Sequence, residues 1–164
     1  MFVVGGLAII QTAAPLVKID EDGVTFKSYR DGSEHRFTPE RSVEIQHNLG
    51  ADIFFAFDEP TSPTATREYQ REAMERTHRW AERSLRAHRQ NIGASAKQAI
   101  FGIVQGGRHE DLRRESAREI ASIARSSRSC SSYSLICSAV SGLVLVAPCK
   151  ACSTARRRAV LGLV

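Results

Sequence analysis

The chain has 164 residues and a formal net charge of +5, with hydrophobic residues at 42% and charged residues at 25%. This is an ordinary globular composition, and the length favours about one domain. The basic balance favours acidic partners, of which nucleic acid is the commonest, although a merely basic soluble protein fits it equally well.

The cysteines and the apolar segments exclude two other classes of protein. All four cysteines lie at or after Cys130, so a disulfide framework for the main body is excluded. The apolar run over residues 135–147 is too short to span a bilayer. We therefore expect a cytoplasmic protein that makes no contact with a membrane.

Three segments of the chain differ in composition and in sequence pattern. Residues 1–17 are apolar, residues 18–124 carry clear local signals, and residues 125–164 are rich in Ser, Cys, Ala and Arg without periodicity. We predict a divergent apolar N-terminus, a folded domain over residues 18–124, and a tail over residues 125–164 that is disordered or translated in a wrong frame.

A β-hairpin and a helix open the middle domain. Residues 23–29 alternate as a strand does, residues 34–37 form the return strand, and Asp31-Gly32 supplies the positive φ of a tight turn. A helix then begins with Thr38 as its N-cap and ends at Gly50.

Two strands that alternate with two long helices fill the rest of the domain. The apolar runs 51–57 and 99–105 predict strands buried on both faces, and the amphipathic runs 65–90 and 109–124 predict helices. This alternation indicates βα units and a parallel sheet. The expected fold class is therefore α/β, with parallel strands, outer helices and an N-terminal β-hairpin.

A polar residue ends each of the two predicted strands. Asp58 follows the first and Gln105 ends the second, and the carboxyl ends of parallel strands share one rim of a sheet. A carboxylate accepts two parallel N–H donors, and a carboxamide offers a donor beside an acceptor. Together they match the Watson–Crick edge of guanine. The alternative is structural: Asp58 caps the loop, and Gln105 is a satisfied polar residue at a strand end.

Several segments of the chain resemble the tRNA-guanine transglycosylases, most closely the bacterial type. They keep the order and spacing of that family between Gly23 and Ala121, and together they are highly specific. The segments are GVTFKSYRD (23–31), TPERSVEIQ (38–46), LGADI (49–53), FDE (57–59), RWA (79–81) and FGIVQGG (101–107).

The resemblance implies a fold and a reaction. The fold is an irregular (β/α)8 barrel, of which 164 residues hold only a part because a full barrel needs roughly 250. The reaction exchanges guanine for a 7-deazaguanine base, queuine or its precursor, at the anticodon wobble position of tRNA during queuosine biosynthesis. The partners implied are tRNA, the guanine or 7-deazaguanine base and, as in the family, a second copy of the chain.

The resemblance also assigns residues to the base-binding site. The family's guanine-reading Asp and Gln fall on Asp58 and Gln105, and Gly106 and Gly107 let the loop backbone approach the base. A carboxylate outside these motifs attacks the ribose in this family, and a second carboxylate moves protons.

Other catalytic parts of the family are not recognisable. Val3 and Leu7 stand where the family has a proton-transferring Asp and a stacking aromatic residue. The nucleophilic Asp and the structural zinc motif are not found after Ala121, and Cys149 with Cys152 supplies half a zinc site at most. The nucleophile therefore stays unknown. We predict that this chain holds no metal or other cofactor, and that it has weak or absent activity by itself.

Two other interpretations stay open. In the first, the chain is a non-catalytic tRNA-binding or partner subunit of the same family. In the second, it is a non-functional translated remnant. A remnant would be poorly soluble, because a partial barrel leaves sheet edges and apolar faces uncovered.

Overall fold

A computed structural model of the protein describes residues 17–28, 30–95, 97–126, 133–138 and 143–148. The described residues form two sheets, one with the strand order β1-β2-β3 and the other with the order β4-β5-β7-β6. The elements are β1 (Val17–Ile19), β2 (Val24–Lys27), β3 (Glu34–Phe37), α1 (Pro39–Leu49), β4 (Ile53–Phe55), α2 (Arg67–Gln90), α3 (Ile92–Ser95), β5 (Ala99–Ile103), α4 (Glu110–Ser126), β6 (Tyr133–Ser138) and β7 (Leu143–Pro148).

The predicted hairpin is confirmed and carries a third strand. Strands β2 and β3 pair antiparallel around a turn in which Gly32 has φ of 71°. Strand β1 adds to the outer side of β2, and the sequence pattern did not predict it. This sheet packs on the main body through Val24, whose side chain clusters with Phe57 and Trp80.

The helix α1 begins and ends at the predicted residues. The hydroxyl of Thr38 accepts a hydrogen bond from the N–H of Arg41 at 3.2 Å, and this caps the first turn. Gly50 adopts the left-handed conformation, with φ of 67°, and its N–H donates to the carbonyl of His47.

Strands β4 and β5 form the predicted parallel pair. Their register aligns Ile53 with Ala99 and Phe55 with Phe101. Both strands are shorter than the apolar runs that predicted them. The buried core lies between these strands and the helices. Its members come from α1, β4 and the residue after it, β5, α2 and α4 (Val43, Phe54, Ala56, Ala81, Leu85, Ile100, Ile120 and Ala124).

Two strands of the 125–164 tail extend the parallel pair into a mixed sheet. Strand β7 runs antiparallel to β5, with Ile103 opposite Leu143, and β6 runs antiparallel to β7. Only residues 139–142 connect β6 to β7. A connection of this length allows a hairpin, whereas a parallel pair needs a crossover of about a dozen residues or more.

Several predictions concern residues outside this description. Val3, Leu7, Cys149 and Cys152 are among them, and so is most of the 125–164 tail apart from β6 and β7. The predicted division of the chain at residues 17 and 124 stays a prediction. In the described part of the chain, no helix is both long and apolar enough to cross a bilayer.

A pair of histidines joins α1 to α2. Nδ1 of His47 lies 3.3 Å from Asn91 Nδ2, and Nε2 of His47 lies 2.9 Å from Nδ1 of His88. The asparagine amide is a donor, so His47 carries its proton on Nε2 and donates it to His88. Burial lowers the pKa of His88 to about 4.

We expect the chain to lose stability as the pH falls from 6.5 to 4, because in this window the unfolded state binds the His88 proton and the folded state does not. The His88→Gln variant keeps an acceptor for His47 and should remove roughly 3 kcal/mol of this acid sensitivity. Urea denaturation of both proteins at pH 4.5 and 7 measures the difference. If the stability of both proteins depends equally on pH, His88 is not the source of the acid sensitivity.

Candidate functional site

The loops that follow β4 and β5 bring Asp58 and Gln105 together. Nε2 of Gln105 donates a hydrogen bond to Oδ2 of Asp58 at 2.6 Å. Both residues are partly buried, and both lie beyond the carboxyl ends of the two parallel strands. The expected placement on one rim is therefore confirmed. The role of the two residues in binding a base stays a prediction.

The pKa of the Asp58 carboxyl group is higher than that of an ordinary aspartate. Burial raises the pKa of Asp58 to about 6, and the negative charge of the neighbouring Glu59 also raises it. The hydrogen bond from Gln105 acts in the opposite direction. The ionised group accepts hydrogen bonds only, so it is an acceptor above about pH 6 and gains a donor below that value.

Glu59 is buried and fully engaged by helix α2. The side chain is 1% exposed, and its two oxygens accept from the hydroxyl of Tyr69 at 2.6 Å and from the guanidinium of Arg76. Burial raises the pKa of Tyr69 to about 12, so this hydroxyl keeps its proton and remains a donor. Arg76 also reaches Glu72 at 2.6 Å. This network places a fixed negative charge one residue from Asp58.

Buried hydroxyl groups hold the backbone on either side of the pair. On α2, Ser84 accepts from the N–H of Phe57 at 3.3 Å, and Thr77 accepts from the N–H of Glu59 at 3.1 Å. On α4, Ser116 accepts from the N–H of Gln105 itself at 3.1 Å.

The two glycines after Gln105 pack closely against their surroundings. Gly106 has φ of 117°, and a Cβ there would lie 2.8 Å from the backbone nitrogen of Arg113 in α4. Gly107 has φ of 52°, and a Cβ there would lie 1.9 Å from Oε1 of Gln70. Both positions therefore require glycine, which has no Cβ and tolerates positive φ. Their predicted approach to a base stays a prediction.

The sequence matches one protein family over most of its length. A family model described as queuine tRNA-ribosyltransferase matches residues 1–147. The chain belongs to this family.

Individual members of the family match the chain at about half of the aligned positions. The queuine tRNA-ribosyltransferase of Herpetosiphon aurantiacus is 56% identical over 117 residues, which are 71% of this chain and 28% of that relative. The enzyme of the same name from Thermoanaerobacter pseudethanolicus is 52% identical over 105 residues, which are 64% of this chain and 27% of that relative. The chain thus aligns with less than a third of the length of these relatives.

The structural zinc that the family resemblance implies does not fit the described residues. Among them, no group of three or more His, Cys, Asp or Glu side chains is arranged to hold a metal ion. A zinc site of the family's kind needs four ligands, chiefly thiolates. The described part of the chain therefore offers no site of that kind.

The sequence signals did not reveal the residues that support the Asp58–Gln105 pair. Glu59 follows Asp58 directly, but a carboxylate in a loop with two prolines gives no sign of burial. Thr77 and Ser84 lie on the buried face of α2, and they are spaced by seven residues, or two helical turns. Two hydroxyl residues spaced by two helical turns were the available signal.

Proposed function

We propose that this chain carries the base-binding part of a queuine tRNA-ribosyltransferase that exchanges guanine in tRNA for a 7-deazaguanine base. The observation that supports this most directly is the 2.6 Å contact between Asp58 and Gln105, at one rim of a parallel strand pair in a member of this family. The cytoplasm is the expected location, because tRNA is the proposed substrate.

The chemistry of the pair fits one edge of guanine. The ionised Asp58 accepts from the ring N–H and the exocyclic amino group, which are adjacent donors. Gln105 directs its amide N–H to the carbonyl oxygen of the base. Adenine presents a different order of donors and acceptors and would not offer the partly buried carboxylate two adjacent donors, which is costly. The pair therefore selects guanine and 7-deazaguanine bases that keep this edge.

The pair binds and orients the base, and it does not attack the ribose. In the exchange, the glycosidic bond to guanine breaks and a bond from the same ribose carbon to the incoming base forms. The base must leave the anticodon stack to reach a partly buried site, as it does in other enzymes that act on bases. Asp58 and Gln105 compensate that cost by hydrogen bonding the displaced base.

The proposed fold of the whole protein is a (β/α)8 barrel. Its support is the parallel pair β4–β5, which the helices cover on one face. On the other face, the rings of Phe55 and Phe101 lie 6.0 Å apart and are only partly buried. In a barrel this face would be the packed interior, below a rim that carries Asp58 and Gln105.

Guanine binding by the chain tests the proposal. We expect calorimetry at pH 7.5 to detect guanine binding, and adenine to bind at least about tenfold more weakly, because a site built for hydrogen bonds rejects a ligand that leaves them unpaired. The Gln105→Leu variant should bind guanine more weakly, because it removes the donor to the carbonyl oxygen of the base. Equal binding of both bases by the wild type would refute the base-binding role.

A non-catalytic, tRNA-binding member of the family is the second candidate. The observation that fits it is the net charge of +5, which favours an acidic partner such as tRNA. A gel shift with tRNA and calorimetry with guanine separate the two candidates. Binding of tRNA without binding of guanine supports the second, and binding of guanine supports the first.

A further inference from the structure

The backbone that bears the Asp58–Gln105 pair lies beyond the paired part of the sheet. Strands β4 and β5 align as far as Phe55 and Phe101, and the N–H of Ala56 donates to the carbonyl of Phe101 at 2.8 Å. Asp58 lies three residues beyond Phe55, and Gln105 lies four residues beyond Phe101. The strand pairing alone therefore does not fix the distance between the two side chains.

Helix α2 holds the Asp58 segment at two points. The N–H groups of Phe57 and Glu59, one on each side of Asp58, donate to the hydroxyls of Ser84 and Thr77. These hydroxyl residues are 0% and 1% exposed, so water does not compete with the bonds. Thr77 and Ser84 lie two turns apart on one face of α2. The helix thus supports Asp58 from both sides.

Helix α4 holds the Gln105 segment and is tied to α2 at the same point. The hydroxyl of Ser116 accepts from the N–H of Gln105 at 3.1 Å and lies 2.9 Å from Nε2 of His78 on α2. Ser116 is 0% exposed. Burial lowers the pKa of His78, which favours the neutral ring, and its Nε2 shares a hydrogen bond with the Ser116 hydroxyl. One buried contact therefore connects α2, α4 and the backbone of Gln105.

We infer that Thr77, Ser84 and Ser116 are positioning residues that set the separation of Asp58 and Gln105 for base binding. They act through backbone N–H groups and do not touch the base. A displacement of about 1 Å in either side chain would weaken hydrogen bonds to a rigid planar ligand. The inference deepens the proposed function and rests on it for the identity of the ligand.

Packing alone does not account for these hydroxyls. A buried alanine or valine would fill comparable space on α2 and α4 without a polar group to satisfy. Each of the three hydroxyls instead meets a backbone N–H within one residue of Asp58 or at Gln105. The N–H groups of Phe57 and Gln105 would otherwise lose this partner in a buried setting, which is costly.

The test compares hydroxyl removal with hydroxyl retention in the full 164-residue chain. Ser116→Ala and Thr77→Val remove the hydroxyl, whereas Ser116→Thr and Thr77→Ser keep it. Arg71→Ala serves as the control, because it removes an exposed contact between the same helices, the ion pair with Glu115 at 3.1 Å. The measurements are guanine affinity by calorimetry and, without ligand, solvent exchange of the Gln105 side-chain amide protons by NMR.

We expect the hydroxyl-free variants to fold, to bind guanine roughly threefold to tenfold more weakly, and to exchange the Gln105 amide protons faster by a similar factor. The hydroxyl-retaining variants and Arg71→Ala should match the wild type. The inference is overturned if Ser116→Ala and Thr77→Val match the wild type, if Arg71→Ala has an equal effect, or if the hydroxyl-free variants merely unfold. If the wild type binds no guanine, the proposed function fails, and the amide exchange rates alone decide the positioning role.

Discussion

The Asp58→Asn variant is expected to lose guanine binding while its fold becomes more stable. Asparagine has the same shape and still offers an oxygen to Nε2 of Gln105, which lies 2.6 Å from the native carboxylate. It replaces the second acceptor by an NH2 group that faces the donors of guanine. Removing one partner of a buried charged hydrogen bond costs about 2–5 kcal/mol in binding, so we expect a loss of about 30-fold or more.

The gain in stability follows from the raised pKa of Asp58, which is about 6 in the fold against an ordinary value of 3.8 for a free side chain. Between these two values the folded state holds a proton that the unfolded state has released. Stability therefore falls as the pH rises through this window. At pH 7 the charged carboxylate costs the fold roughly 2–3 kcal/mol, and the neutral amide avoids this cost.

Two measurements check this prediction. Urea denaturation at pH 7 and pH 4 should show the variant to be more stable than the wild type at the higher pH, with the difference shrinking at the lower one. Guanine affinity of the wild type should fall as the pH drops below about 6, because guanine needs the ionised carboxylate. Asp52→Asn, at an exposed position, is the matched control and should change neither quantity. A destabilised Asp58→Asn variant would contradict the prediction.

The sequence was sufficient to place the candidate pair because its signals are local. Asp58 and Gln105 each end an apolar run, and parallel strands bring their carboxyl ends to one edge whatever the rest of the chain does. The helix ends at Thr38 and Gly50 were equally predictable, since capping depends on residues within one turn. These features need no knowledge of distant contacts.

Features that depend on distant partners were not predictable in this way. Strand β1 is three residues long and exists through its pairing with β2, so its sequence alone carries little signal. The antiparallel direction of β7 depends on its pairing with β5. The burial of Glu59 depends on Arg76, which is 17 residues away on another element. In each case the structure is decided by a contact with a residue too far along the chain for local sequence periodicity to reveal it.

The Arg76→Ala variant should destabilise the fold more than any other substitution proposed for this chain, by about 3–5 kcal/mol, because it leaves the charge of Glu59 buried without its cationic partner. Glu59 is 1% exposed and the side chain of Arg76 is 12% exposed, so water cannot replace the lost contact. Tyr69 alone would remain as a donor to the carboxylate. Equilibrium urea denaturation at pH 7 measures the loss.

A second variant shows whether the uncompensated charge is the cause. Arg76→Met combined with Glu59→Gln removes both charges and keeps an acceptor for Tyr69, so most of the stability should return. Arg71→Ala breaks an exposed ion pair and should cost at most about 1 kcal/mol. If the double variant is no more stable than Arg76→Ala, lost packing and not the buried charge explains the effect. Because the charge of Glu59 raises the pKa of Asp58, the double variant should also lower that pKa and extend guanine binding to more acidic pH.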